Sequence, residues 1–200
     1  MKGSLIIVGF FVLGTICGVC HLLPFDIAET NISYYALCAL MFSVGLNVGN
    51  DPQTLKNFRS LNPRLVFLPI MTILGTLAGS AAVSLILTHR SITDCLAVGS
   101  GFGYYSLSSI FITEYKGAEL GTIALLANIS REILTLLAAP LLVRWFGNLA
   151  PISAGGATTM DTTLPIITRT AGQQFVVVSI FHGFVVDFSV PFLVTLFCSI

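Results

Sequence analysis

Residues 155–170 read GGATTMDTTLPIITRT and place one acid, Asp161, in a stretch rich in glycine and threonine. Glycine weakens a helix, whereas Pro165 lacks an amide donor and is favoured in the first turn of one. We therefore predict an unwound stretch over residues 155–161, followed by a half-helix from about Leu164. Such unwinding in a membrane is tolerated only where protein buries the backbone or water fills a cavity.

The start of this half-helix could bind charged groups. Thr162 and Thr163 are candidate N-caps, and the remaining free amides would attract an anionic group such as a carboxylate. Asp161 lies beside them and can take a proton or a cation. The alternative is an ordinary interfacial loop with a capping acid, but the flanking sequence TLPIITRT is apolar for such a loop.

A second stretch, GSGFGYYSLSS, combines three glycines with two tyrosines. The glycines predict another interruption, and Ser106 could cap the helix that follows. Tyr104 and Tyr105 offer rings and hydroxyls to a substrate. The alternative is close packing of helices through small residues.

The sequence NISRE lies in the middle of a long apolar run. Asn128 and Glu132 are four residues apart and share a helical face, whereas Arg131 points about 100° away from Glu132. Ionisable residues at this depth usually face a cavity or a partner. The alternative is a structural ion pair, either Glu132 with Arg169 or Arg131 with Asp161.

The last apolar run carries His182 and Asp187. A single histidine in a helix is more often a hydrogen-bonded core residue than a ligand, and His182 is kept as a candidate for substrate or proton binding. Asp187 falls on another face of the same helix and receives no role.

The composition decides the class of protein that these residues belong to. The 200 residues are 55% hydrophobic and 9% charged, with a mean hydropathy of +0.93, whereas a soluble domain has about 25% charged residues. The chain is predicted to be an all-α polytopic membrane protein. Zero net charge without a basic cluster argues against nucleic acid as a partner. The absence of nucleophile, nucleotide and zinc motifs predicts no enzyme activity, cofactor or metal site.

The apolar runs organise this protein into one transmembrane transporter domain over residues 1–200. Smooth runs lie near residues 4–23, 31–49 and 64–87. Two interrupted or re-entrant segments follow near 99–108 and 155–165, and the total is about six or seven spans. Lys2 and the basic residues of NDPQTLKNFRSLNPR are predicted to be cytoplasmic.

The second half also contains a weak internal repeat. Each interrupted segment is followed by a helix that carries polar residues, as in many secondary transporters. Small-residue faces around Gly75, Gly79 and Gly99 could pair two copies of the chain.

Several motifs in order resemble one known family. SGFGYYSLSSIFITEYKG, SREI, GATTMDTTLPIITRTAG, and HGF followed by VPFL are similar to the LysO family of bacterial lysine exporters. The resemblance implies export of L-lysine and toxic analogues by ion exchange across the bacterial cytoplasmic (inner) membrane. It also implies that Asp161 is the family's intramembrane aspartate and that Arg131 and Glu132 are its Arg-Glu pair.

The chain departs from that family in three places. Full-length members are about half as long again, with an N-terminal membrane part that carries another acid. Asn128 stands where an acid is usual, and Asp187 does not match a family residue. We therefore expect the partners to be L-lysine, protons, the lipid bilayer, and either a second copy or a small separately encoded membrane subunit.

The leading interpretation is a secondary exporter of L-lysine that works by proton antiport. Interrupted segments would also suit a holin-like or LrgB-like membrane module that regulates lysis or forms pores. The short length would suit a non-transporting subunit of a larger assembly.

Overall fold

The computed structural model describes residues 63–87 and 89–200, with six isolated positions nearer the N-terminus. The contacts divide the chain into two units, Met1–Asp51 and Pro52–Ile200, and both described ranges belong to the second. The predicted spans near 4–23 and 31–49, and nearly all of the basic segment after them, lie outside the described residues. A single domain over the whole chain stays a prediction.

The regular secondary structure of the described residues is helical, which confirms the predicted fold class. The helices are α1 (Pro63–Ser84), α2 (Ile92–Gly99), α3 (Tyr105–Lys116), α4 (Ala118–Phe146), α5 (Ala150–Gly155), α6 (Leu164–Ala171) and α7 (Val176–Ser199). Two short 3₁₀ segments, Gly156–Met160 and Gln173–Phe175, precede α6 and α7. We call the first of these the 3₁₀ turn.

Three helical stretches of the described residues are long and apolar enough to cross a membrane. They are Leu65–Ser84, Ala118–Phe146 and Gln173–Ser199. The first of these corresponds to the span predicted near residues 64–87. The total of six or seven crossings stays a prediction.

Both predicted interruptions are present. In the first, α2 ends at Gly99 and α3 begins at Tyr105. In the second, α5 ends at Gly155, the 3₁₀ turn follows, and α6 begins at Leu164. Pro165 lies in the first turn of α6, as expected for a residue without an amide donor.

The long helices α4 and α7 hold the interrupted segments. Helix α4 packs against α2, α3, α5 and α6, and α7 packs against the 3₁₀ turn, α2 and α3. An apolar core of Ile152, Ile167, Ala171 and Val178 joins α5, α6 and α7. Outward positions such as Leu137 are largely exposed and apolar, which suits a helix bundle surrounded by lipid.

Gly156 starts the 3₁₀ turn in a conformation that favours glycine. Its φ is +65°, and a Cβ at this position would collide with the backbone carbonyl of Phe102. Because that neighbour is backbone rather than a flexible side chain, the collision cannot be relieved without moving the first interrupted segment. The two interruptions therefore approach each other at a point where no side chain fits.

Replacing Gly156 with alanine should destabilise the bundle. We expect Gly156→Ala to lower the free energy of unfolding by about 2–4 kcal/mol, from the left-handed backbone and the overpacking. The measurement is thermal or denaturant unfolding in mild detergent. Gly147→Ala is the matched control, because Gly147 also has a positive φ, +88°, but no described atom lies within 4 Å of a Cβ there; equal stability of the two variants would contradict the close approach.

Candidate functional site

The first interruption is held by Asn128 from the middle of α4. Its side-chain oxygen accepts a hydrogen bond from the amide of Gly103 at 2.8 Å. Its amide nitrogen donates to the carbonyl of Val98 at 3.2 Å and to that of Ala124 at 2.9 Å. Asn128 is buried, and a carboxylate could not donate these two bonds. The amide therefore suits this position better than the acid that the resemblance makes usual.

The two interruptions meet at Phe102. Its carbonyl accepts a hydrogen bond from the amide of Ala157, with an N–O distance of 2.9 Å. Phe102 is fully buried and has a φ of +45°, which is uncommon for a residue other than glycine. Backbone strain of this kind persists only where the surrounding structure enforces it. We call this meeting of the two segments the crossing.

Arg131 braces the second interruption. Its guanidinium donates to the carbonyl of Ala154 at 2.8 Å and to that of Ser153 at 3.0 Å, near the end of α5. The same group lies 5.8 Å from the centre of the Phe102 ring. Arg131 therefore caps the carbonyl end of a short helix. The alternative of an ion pair between Arg131 and Asp161 does not hold among the described residues.

The threonines of the opening stretch satisfy the 3₁₀ turn. The hydroxyl of Thr158 donates to the Gly155 carbonyl at 2.9 Å and lies 3.2 Å from the hydroxyl of Thr163. The hydroxyl of Thr159 lies 2.8 Å from the Gly156 carbonyl. These side chains replace the backbone bonds that an uninterrupted helix would make.

His182 ties this network to α1. It is fully buried, with Nδ1 3.2 Å from the Thr159 hydroxyl and Nε2 2.9 Å from the Thr72 hydroxyl. Both ring nitrogens therefore have partners within the protein. Direct contact of His182 with a substrate or proton carrier stays a prediction, and it would require one of these bonds to open.

The start of α6 differs from the predicted capping. Thr163 precedes the helix but its hydroxyl makes no capping bond, because it faces Thr158. The amide and hydroxyl of Thr162 lie 2.5 Å and 3.4 Å from Asp161 Oδ1. The amides of Thr163 and Leu164 bond to backbone carbonyls. Fewer amides are therefore free for a substrate carboxylate than the sequence suggests.

The remaining candidates lie in mixed surroundings. Ser106 is exposed inside the first turn of α3, so the prediction that it caps this helix is wrong. Tyr104 and Tyr105 are half-buried at the start of α3. Glu132 is half-buried and has no hydrogen bond or ion pair to a described residue, so the alternative of an ion pair with Arg169 does not hold.

Asp187 is the functional candidate that the sequence reasoning passed over. It is 5% exposed and lies near the middle of α7, whereas Asp161 is exposed at the end of the 3₁₀ turn. The signal was available, because an ionisable residue inside an apolar span is by default a functional candidate.

A cavity of about 1010 Å³ lies among α1, α2 and α4. It extends along α4 from Arg131 to Leu120, and Asn128 also lines it. Its size is at the upper end of the range for small-molecule pockets. Asp161 and Asp187 are not among the described residues that line it. The cavity therefore contacts Asn128 and Arg131 but neither of these two acids.

Comparison with known proteins places the chain in a family. The sequence profile of the family described as lysine exporter LysO matches residues 8–198. The chain belongs to the LysO lysine-exporter family. This confirms the resemblance found in the motifs of the second half. No solved structure matches the chain significantly.

Two curated proteins illustrate the similarity to other LysO-type chains. The Escherichia coli (strain K12) protein named lysine exporter LysO is 36% identical over 196 residues, covering 98% of this chain and 64% of the E. coli protein. A Haemophilus influenzae protein, provisionally named a lysine exporter, is 36% identical over 165 residues, covering 82% of this chain and 83% of its own length. The chain thus spans just under two thirds of the E. coli relative.

The bracing role of Arg131 in this LysO family member can be tested by stability. Arg131→Met should lower the free energy of unfolding by about 2–5 kcal/mol, because two carbonyls lose their donor at about 1–3 kcal/mol each. The free energy of unfolding of Arg131→Lys should lie between those of the wild type and Arg131→Met, since an ammonium lacks the planar arrangement of donors of a guanidinium. Unfolding in detergent is the measurement.

Arg144→Met is the matched control, because Arg144 is exposed on the same helix. We expect its stability to stay within about 0.5 kcal/mol of the wild type. Wild-type stability of Arg131→Met, together with weakened lysine binding, would show that Arg131 binds substrate rather than bracing the crossing.

Proposed function

We propose that this chain exports L-lysine and its toxic analogues from bacteria, as a multi-pass protein of the cytoplasmic (inner) membrane that exchanges lysine for protons. Membership of the LysO family and the names of both relatives support this proposal. We infer no enzymatic step and no cofactor, since moving lysine across a membrane needs neither.

The observation that carries the proposal is the crossing. Two interrupted helices meet through the bond from the Ala157 amide to the Phe102 carbonyl. Secondary transporters bind substrates where discontinuous helices leave polar backbone near the middle of the membrane. Asp161 follows directly after the 3₁₀ turn at this place, where a carboxylate can meet a cationic substrate.

The charge of lysine explains why an acid and a counter-ion are needed. Lysine carries two ammonium groups and one carboxylate, so it leaves the cell as a net cation against an inside-negative potential. That movement costs about 2.3 kcal/mol per 100 mV. Entry of protons in exchange can supply this free energy, and an intramembrane carboxylate can carry them.

The cavity along α4 gives a route toward the crossing. It reaches Asn128 and Arg131, the two side chains that brace the interruptions. Its walls also include the charged residues Arg90 and Asp94 before and within α2. We propose that lysine moves through this cavity to and from the acidic residues, with the crossing as the barrier.

Neutralising Asp161 should abolish transport. We expect Asp161→Asn to reduce pH-driven efflux of lysine from loaded vesicles by at least about tenfold, because the amide keeps the shape but cannot titrate. Glu114→Gln removes an exposed carboxylate elsewhere and should transport like the wild type. Undiminished efflux by Asp161→Asn would refute the role of this acid.

The same vesicles distinguish an exporter from a pore. A trapped neutral dye should stay inside while lysine leaves, because an exporter releases only what it binds. Loss of the dye together with lysine would favour a holin-like or LrgB-like module instead.

We also propose that the working exporter contains at least two chains. Glu132 lies half-buried in the middle of α4 and has no partner among the described residues, and an ionisable side chain inside a membrane is costly unless it faces a partner or a cavity. A second copy, or a small separately encoded membrane subunit, could cover it. Gly75 and Gly79 leave an open helix face for such packing, whereas Gly99 already packs against Ser80 of the same chain.

A mass measurement in mild detergent tests this assembly. We expect more than one chain per particle, because the cost of an uncovered Glu132 favours association. If the Glu132 carboxylate also binds lysine, Glu132→Gln should reduce lysine efflux more than it reduces the fraction of assembled particles. A strictly monomeric particle that exports lysine alone after reconstitution would contradict the proposal.

A further inference from the structure

The cavity along α4 carries opposite charges at two places on its wall. Arg131 lines it beside Thr76, and Asp94 lines it from the first turn of α2. Apolar side chains such as Val98 and Ala127 line the wall between these two charges. A cavity with a cationic end, an apolar middle and an anionic end is complementary to a molecule in which a carbon chain joins a carboxylate to an ammonium group.

Arg131 has donors to spare for a carboxylate. A guanidinium has five N–H donors, and Arg131 uses three of them, on the carbonyls of Ala154 and Ser153 and on the Thr76 hydroxyl. The last of these bonds is long, with an N–O distance of 3.3 Å. Two donors thus have no partner among the described residues, and no described acid forms an ion pair with this guanidinium.

Asp94 is held only loosely by its own chain. Its carboxylate lies 3.7 Å from Nζ of Lys116, which is longer than a hydrogen bond. Its backbone is fixed independently, because the Asp94 amide donates to the Ser91 hydroxyl at 3.0 Å. Arg90, another cation on this wall, is paired with Glu119. An ammonium in the cavity could therefore bind the Asp94 carboxylate without breaking a described hydrogen bond.

Helices α2 and α4 run in the same direction along the cavity. At one end Arg90 forms an ion pair with Glu119, and further along the side chain of Asn128 donates to the Val98 carbonyl at 3.2 Å. Residue numbers therefore rise together along the two helices, so the levels of cavity residues on one can be compared with those on the other.

This register gives the separation of the two charges. Asp94 lies four residues before Val98, and Arg131 lies three residues after Asn128. With a rise of about 1.5 Å per residue, the two side chains start about 10 Å apart along the helix axes. An extended aminocarboxylate with five carbons between its charged ends has a similar length once a contact of about 3 Å is added at each end.

We propose that the cavity along α4 binds an ω-aminocarboxylate, with its carboxylate on Arg131, its ω-ammonium on Asp94 and its carbon chain along the apolar wall between them. Lysine is such a molecule, so the proposal deepens the proposed function and rests on it for the identity of the natural ligand. The site is separate from the acid that follows the 3₁₀ turn, because Asp161 is not among the described residues that line the cavity.

A series of ligands on the wild-type protein tests both ends of the site. Equilibrium dialysis measures the binding of labelled ε-aminocaproate, which has the two charged ends of lysine without its α-ammonium, to the detergent-purified full chain. Micelles without protein are the blank. The analogue ε-hydroxycaproate lacks the ammonium and ε-aminocaproamide lacks the carboxylate, so each should bind at least about tenfold more weakly. The shorter γ-aminobutyrate cannot reach both ends and should be similarly weak.

Two acids of the same region provide a matched pair of variants. Asp94→Asn should weaken binding of ε-aminocaproate by at least about tenfold and leave binding of ε-hydroxycaproate unchanged. Glu119→Gln also removes an ion pair from the first turn of a helix, but Glu119 does not line the cavity, so this variant should bind like the wild type. A thermal melt shows that each variant is folded.

The carboxylate end is tested by Arg131→Lys, which keeps a positive charge but loses the planar donors. It should weaken ε-aminocaproate more than ε-aminocaproamide, because only the first uses this end of the site. Loss of stability alone would lower the binding of both ligands equally. The ratio of the two affinities therefore separates contact with the ligand from the bracing role of Arg131.

Several outcomes would overturn the proposal. They are no binding of ε-aminocaproate by the wild type, equal binding of any of the three analogues, wild-type binding by Asp94→Asn, an equal effect of Glu119→Gln, and an unchanged affinity ratio in Arg131→Lys. Lysine efflux from vesicles is measured separately. The expected binding pattern without lysine efflux would retain the site while refuting lysine export, and lysine efflux without that pattern would do the reverse.

Discussion

The structure depends on satisfying backbone amides and carbonyls where two helices stop inside apolar surroundings. Each unpaired group there costs several kcal/mol. The two interrupted segments satisfy one pair of these groups by a hydrogen bond between them, from the Ala157 amide to the Phe102 carbonyl. Helix α4 provides partners for further backbone groups, since Asn128 bonds to the first segment and Arg131 to the second. One long helix thus positions both interruptions, and the side chains within a single turn of it decide where they cross.

The use of Arg131 explains how the charges of the site are distributed. The carbonyl end of a helix carries partial negative charge, so a guanidinium can be held there without a carboxylate. Because Arg131 bonds to the end of α5, the acids of the described bundle are not neutralised by it. Among the described residues, neither Asp161 nor Asp187 forms an ion pair.

The interrupted segments also show how polar residues serve two purposes. The buried threonines of the 3₁₀ turn, with His182, replace lost helix bonds and join α7 to α1. They are structural first, because their donors and acceptors are already engaged. Asp161 is engaged as well, because its Oδ1 accepts a hydrogen bond from the Thr162 amide.

The sequence alone determined the membrane class, the two interruptions and the half-helix from Leu164, because composition, glycine and proline act locally along the chain. It also identified α4 as the carrier of buried polar residues. Which partner each residue takes was decided by tertiary structure. Arg131 meets carbonyls rather than an acid, and Thr163 faces Thr158 rather than its helix. These outcomes depend on the rotation and crossing of distant helices, and spacing along one helix gives no information about the group that faces it from another.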